Sequence, residues 1–176
     1  LSNKFKKISP KTLNIKAPKE TGKTFKSNSE LKANYFFKKS KIVSLSDDSG
    51  LEISALDNQP GIYSARWAKK HGNFKKAMKN ILKSIKTNKN RKAKFICSLS
   101  IKLDYEKIVT VIGKIQGKIS YKILGTKGFG YDPIFIPDRS SVTFGQMNIS
   151  KKMKIDHRSI AFRKLKKKLK SYKFFI

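Results

Sequence analysis

Two runs of strand-like sequence, Lys94–Leu103 and Lys107–Ile115, are separated only by Asp104–Tyr105–Glu106. The first carries Phe95, Ile96 and Ile101, and the second Ile108, Val109, Val111, Ile112 and Ile115, side chains that suit a pleated, half-buried surface. A link this short has no room for the crossover that parallel neighbours need, so the two runs are expected to pair as an antiparallel hairpin. Any fold for this chain has to be built around that pair.

Helical spacing appears on both sides of the hairpin. Ser27–Lys41 reads as a helix capped by Ser27 or Asn28, with Leu31, Tyr35 and Ala33 or Phe36 and Phe37 on a broad apolar side. Phe74–Lys86 places Phe74, Ala77, Met78, Ile81, Leu82 and Ile85 at helical spacing, and Ile155–Tyr172 does the same with Ile160, Ala161, Leu165 and Leu169. Ile42–Leu45 reads as a short strand, Ser46–Gly50 as a polar turn, and Leu51–Ala55 as a second strand. Asn58–Gly61 is a turn built on Pro60, Gly125–Asp132 a loop ending at Pro133, and Ile134–Ile136 a short strand. The sum is a mixed α/β fold, and 176 residues suit one domain over 1–176.

Composition removes several function classes. Cys97 is the sole cysteine, which excludes an internal disulfide and a multi-thiolate zinc site and makes a reducing cytoplasm the default. No apolar run approaches a membrane span, and no signal-peptide pattern opens the chain. With 42 Lys+Arg against 11 Asp+Glu the net charge is +31, which raises the prospect of a nucleic-acid partner. Against it, only Arg66, Arg91, Arg139, Arg158 and Arg163 are arginines, and the lysines are spread along the chain, dense only at Arg163–Lys170. Tuned phosphate and base readers rely on the guanidinium fork, so a lysine-favouring genome is the preferred explanation.

Three segments carry residues of chemical interest. In Ser46–Asp47–Asp48–Ser49–Gly50–Leu51–Glu52, adjacent carboxylates repel unless a cation shields them. A carboxylate at a strand end can hold a divalent ion or orient a water, and Ser49 and Gly50 permit close approach to an anion; local pattern alone favours an ordinary turn. Gly128–Phe129–Gly130–Tyr131–Asp132–Pro133 offers aromatics to stack on a flat ring and a carboxylate to accept from ring N–H groups. Its spacing matches neither a P-loop nor the dinucleotide fingerprint. Asp156–His157–Arg158 opens the last helix, where His157 and Arg158 can reach a bound carbonyl or phosphate.

Taken together and in order, SDDSGLEISALDNQPGIYSARWA (Ser46–Ala68), GFGYDPIFI (Gly128–Ile136) and KMKIDHRSIAFRKL (Lys152–Leu165), with ETGKTFKSNSELKA (Glu20–Ala33) more loosely, closely resemble the inosine triphosphate pyrophosphatase family, also called XTP/dITP diphosphatases. The resemblance implies an elongated central sheet with flanking helices and a deep cleft, typically in a homodimer. It implies magnesium-dependent hydrolysis of deaminated purine nucleoside triphosphates (ITP, dITP, XTP) to monophosphate and pyrophosphate. Asp48 would be the catalytic base and a metal ligand, supported by Asp47, with Glu20 as a possible stand-in for the family's metal glutamate. Ser49 and Lys152 would contact substrate; Phe129, Gly130, Tyr131 and Asp132 would form the base pocket, faced by His157 and Arg158.

Two departures from the family pattern set further expectations. The family's opening strand, its Thr/Ser-x-Asn-x-x-Lys phosphate loop and most of its first helix have no counterpart before Glu20; Ser2–Asn3–Lys4 is a superficial echo. The chain is therefore expected to be truncated at its N-terminus. Lys19–Glu20 also stands where the family often has two glutamates. The rival readings are a basic nucleic-acid-binding protein and an inactive nucleotide-binding remnant.

Overall fold

The structure, a computed structural model, describes residues 6–170. Its elements run α1 (Phe25–Ser40), β1 (Ser44–Ile53), β2 (Gln59–Pro60), α2 (Ser64–Lys70), α3 (Phe74–Ser84), β3 (Lys92–Lys102), β4 (Ile108–Ile119), β5 (Phe135–Pro137), α4 (Ile149–Ile155) and α5 (His157–Lys170). The strands form one sheet in the order β2-β1-β3-β4-β5, with every neighbouring pair antiparallel. The expected hairpin is its centre: β3 and β4 pair from Lys102 opposite Ile108 to Lys92 opposite Lys118.

The two faces of the sheet are filled differently. Side chains alternate along a strand, so Phe95, Cys97, Leu99 and Ile101 of β3 share one face. Phe95 joins Leu51, Ile53 and the α3 residues Ala77, Met78 and Ile81 in one apolar cluster; Cys97, Leu99 and Ile101 join Ala161, Leu165 and Leu169 of α5 in a second. The helix α5 sits close on β4 because Gly113 has no side chain: a Cβ there would collide with the His157 carbonyl oxygen and the Ala161 nitrogen. The opposite face carries α1, which buries polar Asn28 and Ser29 beside apolar Phe25, Ala33 and Phe37. Ser29 Oγ lies 2.9 Å from Ser98 Oγ and 2.8 Å from Ser100 Oγ, all three fully buried.

Two sequence expectations are corrected. The helix at 27–41 is capped neither by Ser27 nor by Asn28 but by Thr24, whose side chain accepts from the Ser27 N–H while the Ser27 hydroxyl accepts from the Thr24 N–H. A reciprocal cap satisfies two otherwise orphaned donors, and it leaves Asn28 free to be buried. The strand–turn–strand expected over 42–55 is one continuous strand, because Ser46–Gly50 pair residue by residue with Ile96–Ser100 of β3. Of the turn-type residues in this strand, Asp48 faces buried polar partners on the α1 side, while Asp47 stays exposed on the other. The last helix lies inside the expected span as α5 (His157–Lys170), and the unexpected short α4 precedes it, ended at Asp156, whose backbone is extended and whose carboxylate accepts from the Ser159 N–H. Tyr172 and the Ser2–Asn3–Lys4 echo lie outside the described residues.

Candidate active site

Only Glu52 and Ile53 of β1 pair with β2, so among the described residues Ser44–Leu51 has an open edge. A cavity of about 520 Å³ lies along this edge, and residues from both sides of the strand line it. Leu51 gives its N–H to Ser64 Oγ at 2.9 Å, on the side away from β3. The two-residue period of an unbroken strand turns the Ser49 N–H to the same edge.

On the α1 side of β1 lies an acidic corner. Asp48 is 6% exposed; its Oδ2 accepts from Asn28 Nδ2 at 3.2 Å, and its Oδ1 lies 3.7 Å from Lys32 Nζ. The same ammonium is 2.7 Å from Glu20 Oε1, and Arg66 Nη2 is 3.0 Å from Glu20 Oε2. Burial pushes the Asp48 carboxyl up to about 6 even though Lys32 and Asn28 favour its ionised form. Burial acts the same way on Glu20, but Lys32 and Arg66 outweigh it and hold that carboxyl below its ordinary value. A carboxylate poised near neutrality, next to one that stays ionised, is the pattern of a base beside a fixed charge.

Asp47 does not join this corner. As the neighbour of Asp48 on a strand it points to the other face, where its Oδ2 accepts from Ser49 Oγ at 2.9 Å and lies 3.7 Å from Arg158 Nε. The carboxylates brought together are therefore Glu20 and Asp48. Among the described residues no three His, Cys, Asp or Glu side chains are grouped as a metal set. Two hard oxygen donors nonetheless suit magnesium, which keeps several waters and is typically held by one or two carboxylates plus the phosphates of its substrate.

At the other end of the cavity is a flat-walled slot. Gly128 and Gly130 both have positive φ, of 81° and 66°, conformations that glycine adopts without steric cost. They let the loop fold back so that Asp132 Oδ2 accepts from the Phe129 N–H at 2.6 Å. Lys152 Nζ lies 2.8 Å from the same oxygen, so both Asp132 and Lys152 are engaged in holding the loop. Tyr131 is buried, its hydroxyl donating to the Ser64 carbonyl at 2.9 Å, while Phe129 is 67% exposed and meets Phe74 edge-on at 5.1 Å.

His157 closes the slot, its ring stacked on Phe95 at 4.7 Å and 10°. Burial, with Arg158 beside it, pushes its pKa down to about 3, so the ring is neutral at physiological pH. Arg158 Nη1 lies 3.4 Å from His157 Nε2. A guanidinium only donates, so Nε2 holds the lone pair and the proton sits on Nδ1. That Nδ1 is buried without a hydrogen-bond partner, and a buried orphan of this kind calls for an explanation.

Sequence reasoning missed Asn28, Lys32, Arg66, Phe74 and Phe95. A signal for the first two was available: Asn28 and Lys32 are four residues apart and so share a helix face. The other three are brought in by tertiary packing.

The fold and the cavity define an α/β protein with a cleft suited to a phosphorylated, flat-ringed ligand. The chain belongs to the Ham1 family, whose model matches residues 2–168. It is 44% identical to the dITP/XTP pyrophosphatase of Clostridium tetani over 75% of this chain and 66% of that protein. It is 39% identical to the dITP/XTP pyrophosphatase of Caulobacter vibrioides over 94% of this chain and 87% of that protein. Among solved structures it is similar to the Staphylococcus aureus Ham1 protein, with a TM-score of 0.87 and 32% identity over 93% of this chain and 85% of that one. A HAM1 protein from Coxiella burnetii gives 0.86 and 30% over 92% and 84%. No helix among the described residues is long and apolar enough to cross a membrane.

Proposed function

We propose that this chain is a nucleoside triphosphate pyrophosphatase acting on deaminated purine nucleotides such as dITP and XTP, with Asp48 as its base. The observation that carries this is the meeting, in one cavity, of the Asp48–Glu20 corner and the slot formed by Phe129, Tyr131, His157 and Arg158. Kinship with proteins named dITP/XTP pyrophosphatase supports it.

Asp48 and Glu20 would hold magnesium, which when bound neutralises the triphosphate and polarises the phosphoryl group. With its pKa near 6, Asp48 is mostly ionised at neutral pH and able to take a proton from water. The water oxygen bonds to the α-phosphorus, the bond from that phosphorus to the α,β-bridging oxygen breaks, and pyrophosphate leaves. Lys32 and the Ser49 N–H and hydroxyl face the phosphates. Asp47 and Asp132 act through the residues they hold, Asp47 on Ser49 and Arg158, Asp132 on the Phe129–Gly130–Tyr131 loop that Lys152 also braces. At the slot, the half-exposed guanidinium of Arg158 would donate to the 6-oxo group of hypoxanthine or xanthine. A 6-amino group would leave that donor unpaired, and adenine is rejected on those terms.

The test is pyrophosphate release from dITP, XTP, dATP and dGTP with magnesium, for the wild type and for Asp48→Asn. Preference for the first two and loss of activity in the variant are expected; equal turnover of all four, or full activity in the variant, would overturn the proposal. We further propose a homodimer of one-domain chains in the cytoplasm, which sedimentation equilibrium and cell fractionation would check.

A further inference from the structure

One side chain on α1 joins two other parts of the acidic corner. Asn28 is fully buried. Its Oδ1 accepts from the Gly22 N–H at 2.8 Å, and its Nδ2 donates to Asp48 Oδ2 at 3.2 Å. Gly22 follows Glu20 by two residues, so the carboxamide ties the loop that carries Glu20 to the strand that carries Asp48, from the helix that carries Lys32. Gly22 must lack a side chain for this to work: a Cβ there would lie 2.6 Å from the Asn28 Oδ1 and nearer still to Ser27 Oγ. The carboxamide cannot drift, because the next residue, Ser29, is bonded to both Ser98 and Ser100 of β3.

We propose that Asn28 is the positioning residue of this site, fixing the orientation of Asp48 and its separation from Glu20. This rests on the pyrophosphatase proposed above. An acceptor on one side and a donor on the other are both required, and a carboxamide supplies them in one rigid plane. Through Nδ2, Asn28 also withholds Asp48 Oδ2 from other partners and leaves Oδ1 toward Lys32 and the cavity. Asp at this position would keep the Gly22 bond and set a carboxylate against Asp48; Ala would remove both contacts.

The experiment compares wild type, Asn28→Ala and Asn28→Asp in thermal unfolding, in Mn²⁺ binding followed by the loss of the free-ion electron paramagnetic resonance signal, and in kcat and KM for dITP. Substitutions of residues that orient metal ligands cost about 10- to 100-fold in metal affinity or activity. The expected result is therefore a loss in kcat of at least about tenfold in both variants, with KM changed much less, and Mn²⁺ binding weakened by a similar factor. Should Asn28→Ala not fold, the near-isosteric Asn28→Asp decides. If Asn28→Asp keeps wild-type kcat and Mn²⁺ affinity, or if activity falls only as far as stability does, the positioning role is overturned while the pyrophosphatase stands. A wild type that neither binds Mn²⁺ nor turns over dITP overturns the proposed function, and this role with it.

Discussion

Replacing Lys32 with methionine removes a charge from the acidic corner while keeping an unbranched side chain of similar reach. Lys32 Nζ is 3.7 Å from Asp48 Oδ1 and 2.7 Å from Glu20 Oε1. At an effective dielectric constant of about 20, a unit charge at the longer distance favours the ionised Asp48 by about 4.5 kcal/mol. Water entering where the ammonium stood offsets part of this, so about 2 kcal/mol, or roughly 1.5 pKa units, is the expectation for Asp48. The sign follows from the ammonium stabilising the carboxylate: without it the Asp48 pKa rises from about 6 to somewhere above 7. At pH 7 the ionised fraction then falls from about nine-tenths to about a quarter. The assay is a ¹³C titration of side-chain carboxyls in metal-free protein, made tractable by there being only 11 acidic residues. The acid limb of kcat/KM in the magnesium-loaded enzyme provides a second readout. An Asp48 titration within a few tenths of a unit of wild type would refute the electrostatic argument, because no relaxation of Glu20 restores the missing positive charge.

Two further outcomes follow from the packing of α5. Gly113→Ala forces a Cβ into the His157 carbonyl and Ala161 nitrogen, so a loss of about 2 to 3 kcal/mol is expected, seen as a fall in melting temperature of roughly 5–10 °C; an unchanged melting temperature would show that α5 does not depend on this close approach. Arg158→Met removes the proposed donor to the 6-oxo group, so the ratio of kcat/KM for dITP over dATP is expected to narrow by about tenfold or more. An unchanged ratio with both substrates slowed equally would mean that Arg158 aids binding without selecting the base.

The hairpin was legible because its signal is local: two apolar runs and a short link admit one pairing. The segment from Ser46 to Gly50 was not, because its residues are those of a turn, and what makes them a strand is β3 running beside them. The same blindness hid the two aspartates' separate roles. Adjacent in sequence, they suggest one cluster; on a strand, adjacency means opposite faces, and Asp47 goes to Arg158 while Asp48 goes to Asn28 and Lys32. The resemblance named residues of 129–132 and 157–158 that the structure brings to one cavity, but not the engagement of Asp132 and Lys152 with each other, since a salt bridge across 20 positions leaves no periodic trace. The start of the last helix at Asp156–His157 was legible, while the short α4 before it was not; Asp156 separates the two and caps Ser159.

The polarity of the α1 interface is the part of this fold that stability alone does not account for. Burying Asn28, Ser29, Ser98, Ser100 and Asp48 between a helix and a sheet forgoes the transfer free energy that apolar side chains would supply there. The molecule tolerates this because the other face of the same strands carries both apolar clusters. A hydrogen-bonded polar network, in return, holds its members in one arrangement, and here the buried Asn28 carboxamide holds the Asp48 carboxylate that lines the cavity. The sheet thus separates two tasks that conflict on one surface: the face toward α3 and α5 supplies the burial that folds the chain, and the face toward α1 uses some of that stability to keep a costly carboxylate buried and in place. The open edge of β1 is where the two faces meet. On the proposed function, a ligand lying along it would touch Asp48 from one side and the His157–Arg158 slot from the other, so that phosphate chemistry and base recognition would reach one molecule without sharing side chains.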